Sequence, residues 1–400
     1  MGTIFIPEAQ NFPSTADLVV IGGGILGTAT AFYASLEGIH TVVVEMRDGL
    51  ATLTTAASEE CFRAQFSEPE NVAMMLASIR VFENFADVVG LPGYDIGLRQ
   101  QGYLFLSDHP EAPRLLRDRV DHQRRIGLTD VEFLPHDEVR RRFPWTSPQV
   151  TAATFRAKDG WLSAHEVTYG FAKGSRAQFL LRTKALRILQ DGNGVAGLET
   201  SRGVIQTRAI VISAGPFSGV VAQTAGIPLP LTLLRRQKVV LAPDPVIPQD
   251  APMTIDAFGG AYWRPEVGGA SMGWSTPEEP GEPSEKVPTD WTFPALVLEE
   301  LSRLSPFWKE VAGRLTRESV FLSAGQYTIT PDAKPILGPC SLPGLYLNVG
   351  YSGHGVMAAP EGSRQVVEMI LGRMAPAENP FSITRFQQPT PRLSQEQMVI

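Results

Sequence analysis

At 400 residues, with 43% apolar and 19% charged side chains, the chain has an ordinary globular composition and is long enough to bury a large core. Length alone suggests two domains or one with a sizeable insertion. A net charge of −7 with no basic run gives no electrostatic reason to expect nucleic acid or an anionic membrane as partner. Cys61 and Cys340 alone cannot build a disulfide framework, and the six histidines show no metal-ligand spacing, so no metal is expected. A cytoplasmic location is the default.

Residues 1–17 lack a basic start and an apolar core, so they are taken as a lead-in arm rather than a secretory signal. Leu18 to Ile21 is an apolar strand. Gly22, Gly24 and Gly27 then fill a G-x-G-x-x-G pattern that opens a helix at Ile25 and Leu26. Such a turn brings bare backbone N–H groups and a helix N-terminus to a pyrophosphate. Thr41 to Val44 is the next strand. Glu45 ends it eighteen residues after Gly27, close to the spacing of about 20 at which an acidic residue binds a ribose. The stretch from Leu18 to Leu36 carries no formal charge, but the glycine turn divides it into a strand and a helix too short to span a membrane.

Thr52 to Ser67 is rich in hydroxyls. Thr54, Thr55 and Ser58 are placed to bond a phosphate or a ring, with a polar loop of helix caps as the alternative. Glu70 to Val89 keeps a helical period, and its Met75 and phenylalanines are core. Strands are expected over Ile96 to Leu106, and helices over Glu111 to Ile126 and His165 to Gly174. A meander follows over Leu180 to Leu189 and Val195 to Thr200, and an apolar strand, Ala209 to Ser213, ends in Ala214 and Gly215. Further strands include Lys238 to Ala242, Ala261 to Pro265 and Ser319 to Ile329, with a helix at Phe293 to Leu304. Between them, Thr276 to Thr289 is the least structured interior stretch. The chain closes on a second strand, glycine turn and helix: Leu345 to Val349, then Gly350, Gly353 and Gly355, then Val356 to Leu371. After Gly372 a surface arm with a frayed end is expected.

Several stretches in register resemble one family, the flavin-dependent D-amino acid oxidase superfamily, in its branch of sarcosine oxidase, glycine oxidase and related amino acid dehydrogenases. They are Gly22 to Gly27 with Glu45, TTAASEECFRAQFS, QGYLFL, AIVISAGPFS, RRQKVV, YWRPEVGG, TPDAKPILG and GYSGHGVMAAPEG. The resemblance implies an α/β (α+β) fold: a Rossmann-type FAD-binding domain with a discontinuous antiparallel β-sheet substrate domain. Residues 1–85, 150–225 and 325–375 would form the first, 86–149 and 226–324 the second, and 376–400 the arm.

It also implies FAD rather than NAD. The adenosine end would lie on the opening unit, with Glu45 on the ribose, Ala185 beside the adenine and Gly22, Gly24, Ile25, Leu26, Gly27, Met46 and Arg47 about the turn, while Thr54, Thr55 and Ser58 would meet phosphate or ring. The rest would meet Ala214, Gly215 and Gly325, and the flavin ring would lie by Gly353, His354, Gly355, Val356 and Met357. There the helix N-terminus favours negative charge on the reduced ring.

The implied reaction removes a hydride equivalent from the carbon beside an amine and leaves an imine that hydrolyses. Arg63 matches the family's substrate-carboxylate arginine, and Arg264 is a second candidate. Tyr262, Tyr327, Tyr351 and His354 would line the pocket. Three departures stand out: Met357 replaces a lysine after the GHG motif, Ser271 replaces the lysine linked to oxygen activation, and no cysteine is in register for a covalent flavin link. Non-covalent FAD and a dehydrogenase with an electron acceptor other than oxygen are therefore expected, in a homo- or hetero-oligomer. A fourth departure is Glu59-Glu60, which would attract a cationic amine, pair with Arg63 or face water. The alternatives kept open are a 2-hydroxy acid dehydrogenase and an accessory flavoprotein subunit.

Overall fold

Side-chain alternation in the first long strand sets the two faces of the central sheet. In the computed structural model, which describes residues 1–387, Leu18 and Val20 join a cluster with Phe32, Phe171 and Val366. Val19 and Ile21 instead pack with Ile188, Leu198 and Ile205. A strand apolar on both faces suits a parallel sheet covered on both sides. Seven strands join in the order Thr3–Phe5, Gln178–Leu180, Thr41–Val44, Leu18–Ile21, Ile210–Ile212, Leu345–Val349 and Ile336–Pro339. All neighbours run parallel except the last pair. Helices Ile25–Leu36, Ala164–Gly174 and Gly355–Ile370 contribute to the cluster on one face, and the meander Ala185–Asp191, Gly194–Thr200 and Gly203–Gln206 covers the other.

A second sheet has eight strands in the order Val320–Ile329, Thr232–Leu241, Gly269–Trp274, Ala261–Glu266, Met253–Asp256, Tyr103–Ser107, Ala152–Arg156 and Glu132–Pro135. Here too the period of two matters. Val239, Leu241, Ala261, Trp263, Ala270 and Met272 point to a core closed by helix Phe293–Leu304. Their alternates Arg236, Lys238, Tyr262, Arg264 and Ser271 therefore share the opposite face, toward the parallel sheet and the segment around Glu59. Ala152–Arg156 pairs here, although it falls in the 150–225 stretch assigned by resemblance to the dinucleotide-binding part.

The chain departs from several sequence expectations. The lead-in arm supplies the edge strand Thr3–Phe5. Only Tyr103–Ser107 of the Ile96 to Leu106 stretch is a strand, because Gly97 and Gly102 hold positive φ and turn the backbone out of the sheet. The helix over Glu70 to Val89 is two helices, Pro69–Glu83 and Phe85–Val89, broken at Asn84. Leu180 to Leu189 is likewise two strands in different sheets, separated by a bend at Arg182 with φ +50°.

The arm after Gly372 is docked as far as residue 387. Phe381 is buried, and Arg385 pairs with Asp332 at 2.7 Å. The remainder of the arm lies outside the described residues. Among the described residues no helix is long and apolar enough to cross a membrane.

One buried ionic network ties the two sheets' connecting segments together. Arg156 donates to Asp159 at 2.6 Å and to Asp130 at 2.7 Å, and Asp159 also accepts from the Ala64 N–H and the Gln65 amide. Asp159 has no exposed surface, so removing its cation strands a buried charge. Arg156→Leu should lower unfolding stability by about 3 kcal/mol in urea titration, whereas an unchanged midpoint would show that the network is dispensable.

Candidate active site

A cavity of about 400 Å³ runs from the opening glycine turn to the closing one. Its walls include Gly22, Gly24, Ile25, Leu26, Glu45, Met46, Thr54, Thr55, Ser58, Ala185, Ala214 and Gly215 at one side. Tyr327, Tyr351, Gly353, Gly355 and Val356 close the other. Gly22 holds φ +112°, and a Cβ there would stand 2.4 Å from the Ser213 carbonyl oxygen, so only glycine fits the turn. Glu45 accepts from the Gly23 N–H at 2.6 Å and the Arg47 N–H at 2.8 Å, which holds its carboxylate against the turn. Burial nevertheless pushes the Glu45 carboxyl upward. Thr55 Oγ accepts from the Ile25 N–H at 3.3 Å, which ties the hydroxyl-rich segment to the helix start.

Other predicted residues stand just off this wall. Gly27 lies under the turn, where a Cβ would meet the Gly22 carbonyl at 1.9 Å. His354 caps the closing helix with its ring edge-on to Phe66 at 5.0 Å, and Met357 is core. Tyr351, on the wall itself, gives its hydroxyl to Asn348 at 2.5 Å.

Unforeseen wall residues are Thr183, Lys184, Ser213, Glu282 and Pro283. The last two come from the stretch expected to be least structured. It has no helix or strand, yet it is pinned across the cavity by Arg47 to Glu285 at 2.9 Å, Arg235 to Glu278 at 3.0 Å and Gln326 to the Glu282 carbonyl at 2.8 Å. The acidic residues of that loop, opposite two arginines, were the only sequence sign of it.

A second cavity of only about 10 Å³ adjoins the first and shares Thr54 and Tyr327 with it. Ala57, Glu59, Arg236, Gln237, Lys238, Tyr262 and Gly325 complete its lining. Gly273, opposite both Lys238 and Tyr262 in the ladder, makes room for the phenol, since a Cβ there would stand 2.4 Å from its oxygen. Glu59 accepts from Ser271 Oγ at 2.5 Å. Burial pushes the Glu59 carboxyl up, against the pull of Lys238 and Arg264. Burial also raises Tyr262 well above the ordinary phenol range and Tyr327 to about 12, so both phenols are neutral donors at physiological pH.

Two residues expected at the substrate line neither cavity. Arg63 lines neither cavity: it is 2% exposed, donates to the Gln65 carbonyl and lies 3.9 Å from the centroid of Phe66. Its charge also acts on the buried His354. Arg264 is equally buried, and it is committed to the Glu59 carbonyl at 3.1 Å, to Glu266 and to Glu60 at 3.7 Å. Glu60 thus pairs with Arg264 and accepts from the Ala164 N–H, rather than bonding Arg63 or facing water. The sequence reading missed Arg236 and Lys238. Their two-residue spacing in RRQKVV, on a strand whose other face is apolar, was the available signal.

A dinucleotide turn joined to a half-polar second cavity defines a cofactor-dependent enzyme scaffold, and the comparisons with known proteins agree. Residues 17–369 match the DAO family, described as FAD dependent oxidoreductase. The chain belongs to this family and is an FAD-dependent oxidoreductase.

It is 26% identical to FAD-dependent oxidoreductase domain-containing protein 1 of Xenopus laevis, over 97% of this chain and 86% of that one. It is also 26% identical to sarcosine oxidase subunit beta of Arthrobacter sp, over 93% and 91%. Among solved structures, L-proline dehydrogenase from P. horikoshii superposes with a TM-score of 0.81 at 25% identity, over 94% of this chain and 97% of that one. Glycine oxidase from Geobacillus kaustophilus shares the fold with a TM-score of 0.80 at 23% identity, over 93% and 99%.

The cavity's own features fit FAD. Among the described residues, Ser213 Oγ is buried on the wall with no hydrogen-bond partner, and at Gly215 a side chain would project where no atom lies within 4 Å.

Two outcomes follow. Gly22→Ala should weaken FAD retention about tenfold or more through backbone strain and clash, read as a lower flavin-to-protein absorbance ratio with unchanged circular dichroism. His354 is held neutral, its pKa lowered to about 3 by burial and then by Arg63. The unfolded chain protonates it near the ordinary value of about 6.5. The unfolded state therefore binds the extra proton, and stability falls as pH drops from about 6.5 toward 3. A His354→Leu variant should lose part of that slope in urea midpoints taken across the window; a slope equal to wild type would rule the residue out as its source.

Proposed function

We propose that this enzyme oxidises the C–N bond of a small amino acid or N-alkyl amino acid. FAD, when bound, supplies the hydride acceptor. The residues expected to hold it are Gly22, Gly24 and Glu45 at the adenosine end, with Ala185 beside the adenine, and Gly353, Gly355 and Val356 at the ring end. With no cysteine in register the attachment is non-covalent. The N-terminus of helix Gly355–Ile370 offers its dipole to negative charge there.

The substrate's place would be the ring end of the large cavity beside Thr54 and Tyr327, since the second cavity, about 10 Å³, has room for little more than one water. Thr54 and Tyr327, common to both cavities, bring the reacting carbon beside the ring. Tyr327 closes that end and excludes water. In the reaction the carbon gives up a hydride and the nitrogen a proton, and water hydrolyses the resulting imine to a carbonyl compound and an amine. The observation that carries this reading is the charged lining beside that end, where an acidic and two basic side chains meet around the second cavity. Relatives named for sarcosine and proline chemistry support an amine over a hydroxy acid.

The acceptor is read from the same wall. Ser271 stands where the resemblance puts the oxygen-activating lysine and is bonded to Glu59, while Lys238 is engaged with the Ser58 carbonyl at 2.6 Å. A dehydrogenase passing electrons to another carrier is the reading adopted.

The test is an anaerobic screen of small amino acids, N-methyl amino acids and 2-hydroxy acids, followed by admission of air. Bleaching of the visible flavin band by an amino acid, with slow recovery in air, is the expected result. Bleaching by hydroxy acids alone would overturn the amine reading, and full recovery on the millisecond scale with stoichiometric peroxide would overturn the dehydrogenase reading.

A further inference from the structure

The strand that leads into the closing turn puts a polar residue on an apolar face. In Leu345–Val349, the side chains of Leu345, Leu347 and Val349 pack into the core on the meander side. Alternation sends Asn348 to the helix side, the face that Val20, Val43 and Val211 share. Asn348 has no exposed surface and lines neither cavity.

Each polar atom of its side chain is nevertheless bonded. The amide donates to Thr30 Oγ on the opening helix and to Ser363 Oγ on the closing helix, both at 3.0 Å, and the carbonyl accepts the Tyr351 hydroxyl. Both hydroxyls then donate to the Leu26 carbonyl, from Thr30 at 2.8 Å and from Ser363 at 3.1 Å. Asn348, Thr30, Leu26 and Ser363 thus form a closed ring of hydrogen bonds between helices Ile25–Leu36 and Gly355–Ile370, with Tyr351 attached to it.

Two of these residues reach the cavity wall. Leu26, the second residue of the opening helix, lines the cavity at one turn, and Tyr351 lines it at the other. Gly362 leaves room for the phenol, since a Cβ there would run into the Tyr351 oxygen. Apolar side chains let one helix slide slightly on another. A buried ring of hydrogen bonds has one register, because any shift leaves a polar atom unpaired away from water.

We propose that Asn348 is a positioning residue: it fixes the closing turn against the start of the opening helix, and so sets the spacing and direction of two helix N-termini that serve one FAD. It acts through Tyr351 and the Leu26 carbonyl and touches neither cofactor nor substrate. The inference uses the family's cofactor and the expected place of the ring at the closing turn, and it holds whichever substrate is oxidised.

The test is made on the FAD-bound protein. Cofactor affinity is read from flavin released on serial dilution, and the flavin midpoint potential from dye equilibration. Urea midpoints at several FAD concentrations separate intrinsic stability from binding. Asn348→Leu should weaken FAD about tenfold or more and lower the urea midpoint, because the Tyr351 hydroxyl is left buried and unpaired. It should also lower the potential, since the reduced, negatively charged ring loses more from a displaced helix N-terminus than the oxidised ring does. A tenfold difference between the two states is about 30 mV for a two-electron couple.

Asn348→Leu combined with Tyr351→Phe removes the orphaned hydroxyl and separates the two roles. Its urea midpoint should return most of the way to wild type while FAD binding stays weak. Thr30→Val opens the ring from the other helix and should weaken FAD in the same direction, which supplies the test if Asn348→Leu does not fold. FAD affinity that recovers together with the urea midpoint in the double variant would overturn the inference, since the ring would then serve stability alone. Wild-type affinity in Asn348→Leu or Thr30→Val overturns it too. If affinity falls in these variants while the potential stays at the wild-type value, the positioning role stands and the place of the ring at the closing turn fails.

Discussion

The contacts that clamp residues 54–59 onto the antiparallel sheet are what the rest of the site depends on. Lys238 holds the Ser58 carbonyl, Arg264 holds the Glu59 carbonyl, Ser271 bonds the Glu59 carboxylate, and Thr54 donates to the Gln326 carbonyl. The same segment touches the parallel sheet's first helix through Thr55. One short stretch is therefore fastened to both halves of the molecule, and its two sides line the two cavities. Each bond contributes about 1 kcal/mol or somewhat more where a charge is involved. Their joint effect is geometric: the two cavities share walls instead of drifting apart.

Charge is distributed around this clamp by position. Lys238 holds backbone, Arg264 holds backbone and pairs with Glu266 and Glu60, Arg63 is stacked in the interior, and Arg236 lines a cavity with its Nε–H buried and without an acceptor among the described residues. The strap over residues 276–289 is built from partly exposed ion pairs and a few hydrogen bonds. Such pairs are worth only about 0–1 kcal/mol each, so this is the wall of the large cavity that opens at least cost.

How much of this was legible depended on whether the signal was local. The glycine turn at Gly22 to Gly27 and Glu45 could be read directly, because backbone conformation and the approach of bare N–H groups depend on residues a few positions apart. The helix from Ile25 and the closing turn at Gly350 to Gly355 were visible for the same reason. Asn84 and Gly102 broke elements that periodicity had run together. The docking of Phe381 and Arg385 was hidden because their partners, Leu337 and Asp332, lie some fifty residues away. Arg236 lines a cavity and Arg63 does not, and this was not legible because a motif places an arginine in order along the chain, not on one side of a wall.

By itself, the sequence determined the family, the parallel dinucleotide-binding unit and the class of cofactor, since these rest on local backbone chemistry and on motifs in chain order. Only the tertiary structure decided which charged side chains line the small cavity beside the large one. Strand alternation, cross-strand register and the clamp at Ser58 and Glu59 turn Arg236 and Glu59 toward the cavity and bury Arg63 behind it. Those directions depend on partners 180 to 212 residues apart, such as Lys238 with Ser58 and Glu59 with Ser271, and no local pattern encodes them.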